Sequence, residues 1–290
     1  MIGIFDSGFG GLTILKAIRR HLPQYDYLYL GDNARSPYGS RSFEVVYSYT
    51  LQAVNYLFGR GCRLVILACN TASAKALRTI QQNDLPYLWE ERGEVGDDKR
   101  GLERVLGVIR PTVEALAQYT KSGHVGVLAT EGTVASESYP IEIAKLFPHI
   151  SVHQQACPMW VPLIENAEHE SAGADYFVGK YLEQILTADE RIDTLLLACT
   201  HYPLLLPKIE TFLSRWTTSN QPDRQIRLLT QGDIVAVSLA DYLSRHPSLL
   251  PYCGNSGRVE FLTTESEERF ARPAAIFMGE EVAARHVELK

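Results

Sequence analysis

Four aliphatic residues in a row, Leu64-Val65-Ile66-Leu67, lead into Ala68-Cys69-Asn70-Thr71. An unbroken apolar run of this length predicts a strand buried on both faces, as in the parallel sheet of an α/β domain. The run stops in small polar residues, and the carboxyl end of a strand is where open α/β sheets bind ligands. The pattern recurs far downstream as Thr194-Leu195-Leu196-Leu197-Ala198-Cys199-Thr200-His201. A shorter strand precedes each: Ile2-Gly3-Ile4-Phe5 enters the turn Asp6-Ser7-Gly8-Phe9-Gly10-Gly11, and Val125-Gly126-Val127-Leu128-Ala129 enters Thr130-Glu131-Gly132-Thr133. One long period, present twice, predicts two pseudo-symmetric halves rather than a solenoid.

The remaining pattern fills in both halves. Leu12–His21 reads as a helix ended by Pro23, and Tyr27–Leu30 as a strand entering the loop Gly31–Gly39, where Pro37 favours a tight turn. Ser42 caps a helix whose apolar residues Val45, Val46, Tyr49, Ala53, Tyr56 and Leu57 keep helical spacing, and Gly59 and Gly61 end it. The order βαβαβ is half of a doubly wound domain. Glu90 to Arg104 is dense in both charges and punctuated by glycine, which predicts a solvated excursion with little to bury. A strand at Val105–Ile109 and a helix from Arg110-Pro111 then open the second half. That half continues with a Pro140-interrupted helical stretch to Phe147, a strand at Ser151–Ala156 and a helix entered from Cys157–Glu165. A helix at Tyr176–Leu186, a strand at Ile226–Thr230 and a helix at Ile234–Tyr242 follow. Arg258–Thr263 and Ala274–Gly279 have no counterparts in the first half, so the tail is expected to fold back. The expected fold is α/β, two pseudo-symmetric doubly wound domains with mainly parallel sheets and a site in the cleft between them. Residues 1–104 plus 217–290 form one domain and 105–216 the other.

Composition narrows the function. The 290 residues leave room for two modest cores. A net charge of −6 gives no basic footprint for nucleic acid. No apolar run approaches the roughly eighteen residues of a membrane span. The sequence opens on a strand-like run, so no signal peptide is expected. Five cysteines without framework spacing suggest reduced thiols, so a cytoplasmic location is expected.

Duplicated cysteines with the same polar escort point to chemistry. Across a cleft with rough two-fold symmetry, Cys69 and Cys199 would flank a ligand from opposite sides. Two thiols facing one carbon suit proton removal on one face and return on the other, with acid and base roles exchanged between directions. A free thiol titrates near ~8.5, so each needs a neighbouring base or a helix N-terminus. Asp6 is placed to serve Cys69, and His201 to serve Cys199. Cys157 lacks a matching escort and reads as structural. The Gly8–Gly11 turn suits an anion at a helix start. Thr13 stands where the dinucleotide fingerprint needs its third glycine, and no Gly-Lys-Ser/Thr follows. A carboxylate fits better than a nucleotide.

Four phrases, Phe5-Asp6-Ser7-Gly8-Phe9-Gly10-Gly11-Leu12, Pro37-Tyr38-Gly39, Ala68-Cys69-Asn70-Thr71-Ala72 and Ala198-Cys199-Thr200-His201-Tyr202-Pro203-Leu204, closely resemble glutamate racemase in order and spacing. The resemblance covers nearly the whole chain and is least specific in the tail Ala284–Leu289. It implies interconversion of L- and D-glutamate without cofactor or metal, supplying D-glutamate for peptidoglycan. Cys69 would take the proton from the D-isomer and Cys199 from the L-isomer. Asp6 and His201 match the assisting residues, and Glu165 falls where the family has another assisting acid. Ser7, Pro37, Tyr38, Gly39, Asn70, Thr71, Thr130, Thr133 and Thr200 match substrate contacts. Hydroxyls, amides and backbone N–H groups suit an ionised dicarboxylate. A homodimer without nucleic-acid or membrane partners is the expected assembly. Glu90–Arg104 is longer than the family's usual link, and deleting Glu91–Arg100 is expected to leave turnover largely intact. Members activated by a cell-wall precursor carry an N-terminal extension, and no dependence on that activator is expected here.

Three other readings share these residues. An aspartate or related racemase of the same superfamily would have a similar site, although the Gly8-Phe9-Gly10-Gly11 turn resembles the glutamate branch. A metal hydrolase could use Cys69, Cys199, Asp6 and His201 as zinc ligands. A non-catalytic amino-acid binding module would share the two lobes but has no need of two matched thiols.

Overall fold

Ten short strands gather the aliphatic runs into two sheets in a computed structural model that describes residues 1–93, 101–222 and 224–290. They are β1 (Ile2–Asp6), β2 (Tyr27–Gly31), β3 (Leu64–Leu67), β4 (Arg104–Gly107), β5 (His124–Ala129), β6 (Ser151–Ala156), β7 (Thr194–Ala198), β8 (Arg227–Leu229), β9 (Val259–Thr263) and β10 (Ala284–His286). The first sheet runs β10-β9-β2-β1-β3-β4 and the second β6-β5-β7-β8. Every pairing is parallel. Helices cover the sheets, so β1, β3 and β7 are buried along their whole length. Each fully buried Leu or Ile contributes roughly 1.5–3 kcal/mol relative to exposure. This is why Leu195, Leu196 and Leu197, all at or near zero exposure, fix the register of the second sheet.

The order β2-β1-β3-β4 repeats as β6-β5-β7-β8, so the duplication read from the two cysteines extends to four strands in each half. In both, the chain leaves the first strand toward one side and returns on the other. The carboxyl ends of β1 and β3, and of β5 and β7, therefore open onto switch-point crevices.

The structure moves both expected boundaries. Arg104–Gly107 pairs with Leu64–Leu67 and completes the first sheet, placing the crossing after Gly107 rather than at 104/105. Arg227–Leu229 pairs with Thr194–Ala198, so the segment after 216 still serves the second sheet. The tail then returns: β9 pairs with β2 and β10 with β9. Ala274–Gly279 closes the helix Glu267–Met278, capped by Gly279 at φ 73°. Pro140 does not break its helix. The interruption falls earlier, at Glu137 (φ 53°), and Pro140 occupies the first turn of Ser138–Leu146.

The solvated reading of Glu90–Arg104 fails at its C-terminal end, whereas at the N-terminal end Glu90 and Glu91 are exposed but helical. Glu90–Arg92 finishes the helix Leu85–Arg92, and Gly101–Arg104 is buried. Trp89 Nε1 donates to the Glu103 carbonyl at 3.2 Å, the Arg104 guanidinium lies 5.6 Å from the Trp89 ring, and Glu103 pairs with Arg63. Charge content misled at Glu103 and Arg104 because these two side chains are buried and bound inside the fold. Glu94–Arg100, the middle of that run and most of the Glu91–Arg100 deletion, lies outside the described residues.

Candidate active site

Both cysteines emerge where the strand pattern put them, one residue beyond Ala68 and one beyond β7. Cys69 caps the short helix Asn70–Lys75, its sulfur accepting from Ala72 N–H at 3.4 Å. Ser7 Oγ, from the turn after β1, lies 3.3 Å from the same sulfur. Cys199 follows β7, and its sulfur lies 3.8 Å from His201 Nδ1. His201 Nε2 lies 3.0 Å from Glu165 Oε1, and Ser36 Oγ donates to that oxygen at 3.4 Å. Thr130 caps the helix Glu131–Ala135, and Thr71 Oγ1 lies 3.0 Å from Thr130 Oγ1 and 3.4 Å from Thr133 Oγ1. Hydroxyls from the two halves thus meet directly.

A cavity of about 260 Å³ lies between these elements. Cys69, Cys199, His201, Glu165, Ser7, Pro37, Tyr38, Gly39, Asn70, Thr71, Thr130 and Thr200 line it. Asp6 and Thr133 do not reach its surface. Asp6 is buried beneath the Ser7 turn, where its Oδ2 accepts from Gly8 N–H at 2.9 Å and its Oδ1 has no partner among the described residues. Thr133 is hydrogen-bonded to Thr71 and Thr130. The Tyr38 hydroxyl is already engaged by Asp32 and its ring packs against Phe5 and Tyr49.

Sequence reading missed Ser36, Ser40, Glu131, Pro158, Val161 and Pro162 on the wall, and took Cys157 as structural although it also lines the cavity. The lone signal was position: Cys157 and Pro158 directly follow β6. The turn glycines have a steric reason. A Cβ on Gly10 would sit 2.3 Å from Thr200 Oγ1 and 2.4 Å from His201 Nδ1, so the Asp6–Gly11 turn packs directly on the second cysteine's segment. Thr13 reinforces this, donating to the Thr200 carbonyl at 3.0 Å.

Burial sets the protonation states. It pushes the Cys69 thiol up to about 12, helped by the Asp6 charge and opposed by Ser7 and Ala72. Asp6 is also raised by burial, against the pull of His201 and the Gly11 and Gly8 amides. For His201, burial alone would lower the value. Hydrogen bonds to Cys199 and Glu165, with their charges, outweigh it and hold the imidazole well above its ordinary value. The cavity therefore has a Cys69 thiol raised by burial on one side and the Cys199 sulfur beside a His201 imidazole held well above its ordinary value on the other. Among the described residues no three His, Cys, Asp or Glu side chains group as they would around a metal ion.

Duplicated parallel sheets with one thiol from each half at a shared cavity define a two-lobed α/β protein. A glutamate racemase of Ruegeria sp. (strain TM1040) is 38% identical over 97% of each chain. The crystal structure of a glutamate racemase isoform from Bacillus anthracis matches at a TM-score of 0.83 and 31% identity, covering 100% of this chain and 97% of that one. That of Francisella tularensis, solved in complex with D-glutamate, matches at 0.81 and 28%, with the same coverage. The chain belongs to the glutamate racemase family. An aspartate racemase of Picrophilus torridus, at 18% identity and a TM-score of 0.51, shares the fold alone. No family model matches the chain.

Proposed function

We propose that this protein interconverts L- and D-glutamate by two-base proton transfer between Cys69 and Cys199, without cofactor. The observation that carries the reading is the placement of two thiols, one from each half, on one cavity, each with a different assisting group. From L-glutamate, the Cys199 thiolate takes the Cα proton while the Cys69 thiol donates its own to the opposite face. From D-glutamate the roles exchange. The protonated state of Cys69 suits it as donor, and the His201 imidazolium beside Cys199 lowers the cost of a thiolate there. Burial and the Asp6 charge disfavour a Cys69 thiolate in the empty cavity, and the α-ammonium of the bound substrate would offset this in the reverse direction.

No lysine or arginine lines the cavity among the described residues. The substrate carboxylates are held instead by neutral donors, the hydroxyls of Ser7, Thr71, Thr130 and Thr200 and the backbone around Asn70 and Gly39. These donors add no base to compete with the thiols. Glutamate is favoured over aspartate by the similarity to glutamate racemases over the full chain, and a binding module leaves the paired thiols without a purpose. D-Glutamate supply for peptidoglycan, a cytoplasmic location, a homodimer and the absence of nucleic-acid partners belong to the same proposal and rest on the family resemblance. No helix of the described residues is long and apolar enough to cross a membrane. Turnover of both glutamate isomers but not of aspartate, in chelator and without pyridoxal phosphate, tests substrate and cofactor together. Turnover of aspartate alone would move the assignment to the neighbouring specificity.

A further inference from the structure

Around Asn70 in the cavity wall, four buried polar side chains from separate segments close a hydrogen-bond network. Asn70 Nδ2 donates to Gln231 Oε1 at 2.6 Å, Gln231 Nε2 donates to the Tyr139 hydroxyl at 2.9 Å, and that hydroxyl donates to Asn70 Oδ1 at 2.7 Å. The ring has one consistent donor direction. The second Gln231 N–H reaches Thr112 Oγ1 at 3.0 Å, and Thr112 donates onward to the Val108 carbonyl at 2.7 Å. All four side chains are at most 3% exposed, so each lost bond would strand a polar group away from water.

The segments joined here give the network a role in the reaction. Asn70 directly follows Cys69. Tyr139 belongs to the second half, in the helix after the Thr130 turn. Thr112 lies in the helix Ile109–Leu116 at the first crossing between sheets, and Gln231 lies just beyond β8 at the return crossing. Because the Asn70 side chain is committed to Gln231 and Tyr139, it serves the site by fixing the Cys69 segment rather than by binding substrate with its amide.

We infer that Gln231 and Tyr139 are positioning residues that set the distance between the two thiols by locking the Cys69 segment to the second half. The inference rests on the two-thiol reading. Inversion needs both sulfurs within reach of one carbon, whereas exchange of the Cα proton with solvent needs only one. Loosening the lock therefore separates the two events. A displaced second thiol leaves the first to remove a proton and return a solvent-derived one to the same face.

The test uses full-length Gln231→Leu, Tyr139→Phe and Thr112→Val with L-glutamate in D₂O. Deuterium entry at Cα and loss of optical rotation are followed together, with kcat, KM and thermal midpoint measured for each protein. For Gln231→Leu, we expect kcat to fall at least tenfold, KM to change less than threefold and the exchange-to-inversion ratio to rise severalfold. Tyr139→Phe should behave similarly and Thr112→Val more weakly, and Gln231→Glu, which keeps the acceptor, should recover part of the inversion. A merely structural network would lower the thermal midpoint and the active fraction while leaving the ratio unchanged, and that result in any folded variant would overturn the inference. If Gln231→Leu does not fold, Tyr139→Phe and Thr112→Val decide by the same ratio. A wild type that neither exchanges nor inverts glutamate would sink the proposed function itself, whereas a normal wild type with unchanged ratios in the variants would sink only this inference.

Discussion

Replacing Glu165 by Gln keeps the shape of the His201 contact and removes its charge. In the structure the two groups are 3.0 Å apart, with His201 buried and the Glu165 side chain 20% exposed. Coulomb attraction at an effective dielectric of ~20 gives about 5 kcal/mol for such a pair before desolvation is counted. Net contributions of hydrogen bonds to charged groups are roughly 1.5–3 kcal/mol. Loss of that amount would lower the His201 proton affinity by about one to two pH units and slow turnover roughly ten- to hundredfold. Enantiomers have equal free energy in water, so kcat/KM must fall equally in both directions. The basic limb of the pH–rate profile should move to lower pH, because the imidazolium beside Cys199 is lost sooner.

Stability carries the same signature. The folded protein holds the His201 proton more tightly than the unfolded chain. The pair's contribution is therefore complete below about pH 6.5 and disappears as pH rises through the raised His201 value. Glu165→Gln should thus lower the thermal midpoint at pH 6 and have little effect at strongly basic pH. Polarimetry across pH, with differential scanning calorimetry at both ends, measures these effects. An unchanged basic limb together with an unchanged rate would refute the role given to the Glu165–His201 pair.

Two further substitutions probe the turn after β1. Gly10→Ala drives a methyl group into Thr200 and His201, and should cost at least tenfold in kcat while the circular dichroism spectrum stays native. Retained activity would show that the close approach is not needed. Ser7→Ala removes a polar partner of the Cys69 sulfur and should raise that thiol further, lowering kcat/KM about tenfold in both directions. Polarimetry starting from each enantiomer measures the loss, and an unchanged kcat/KM would contradict it.

The repeat was legible because burial on both faces of a parallel strand forces an aliphatic run, and the site lies where such runs stop. The positions of Cys69, Cys199 and His201 on the cavity followed from that, while Asp6 does not reach its surface. What escaped were contacts made across long sequence separations. Gln231 and Tyr139 look like ordinary polar residues until the fold brings them to Asn70. The charges of Glu103 and Arg104 suggested solvent, yet their partners, Arg63 and the ring of Trp89, are distant or unmarked in the sequence. The repeat itself held the correction to the first boundary: a strand follows the second cysteine, so one was due after the first, and β4 is that strand.

The most direct test of the two-thiol account is Cα deuterium incorporation and optical rotation of L-glutamate in D₂O, for the wild type and for Cys69→Ala and Cys199→Ala. The account predicts loss of rotation with deuterium entry in the wild type and no inversion in either variant. Inversion at a normal rate in either single variant would contradict it.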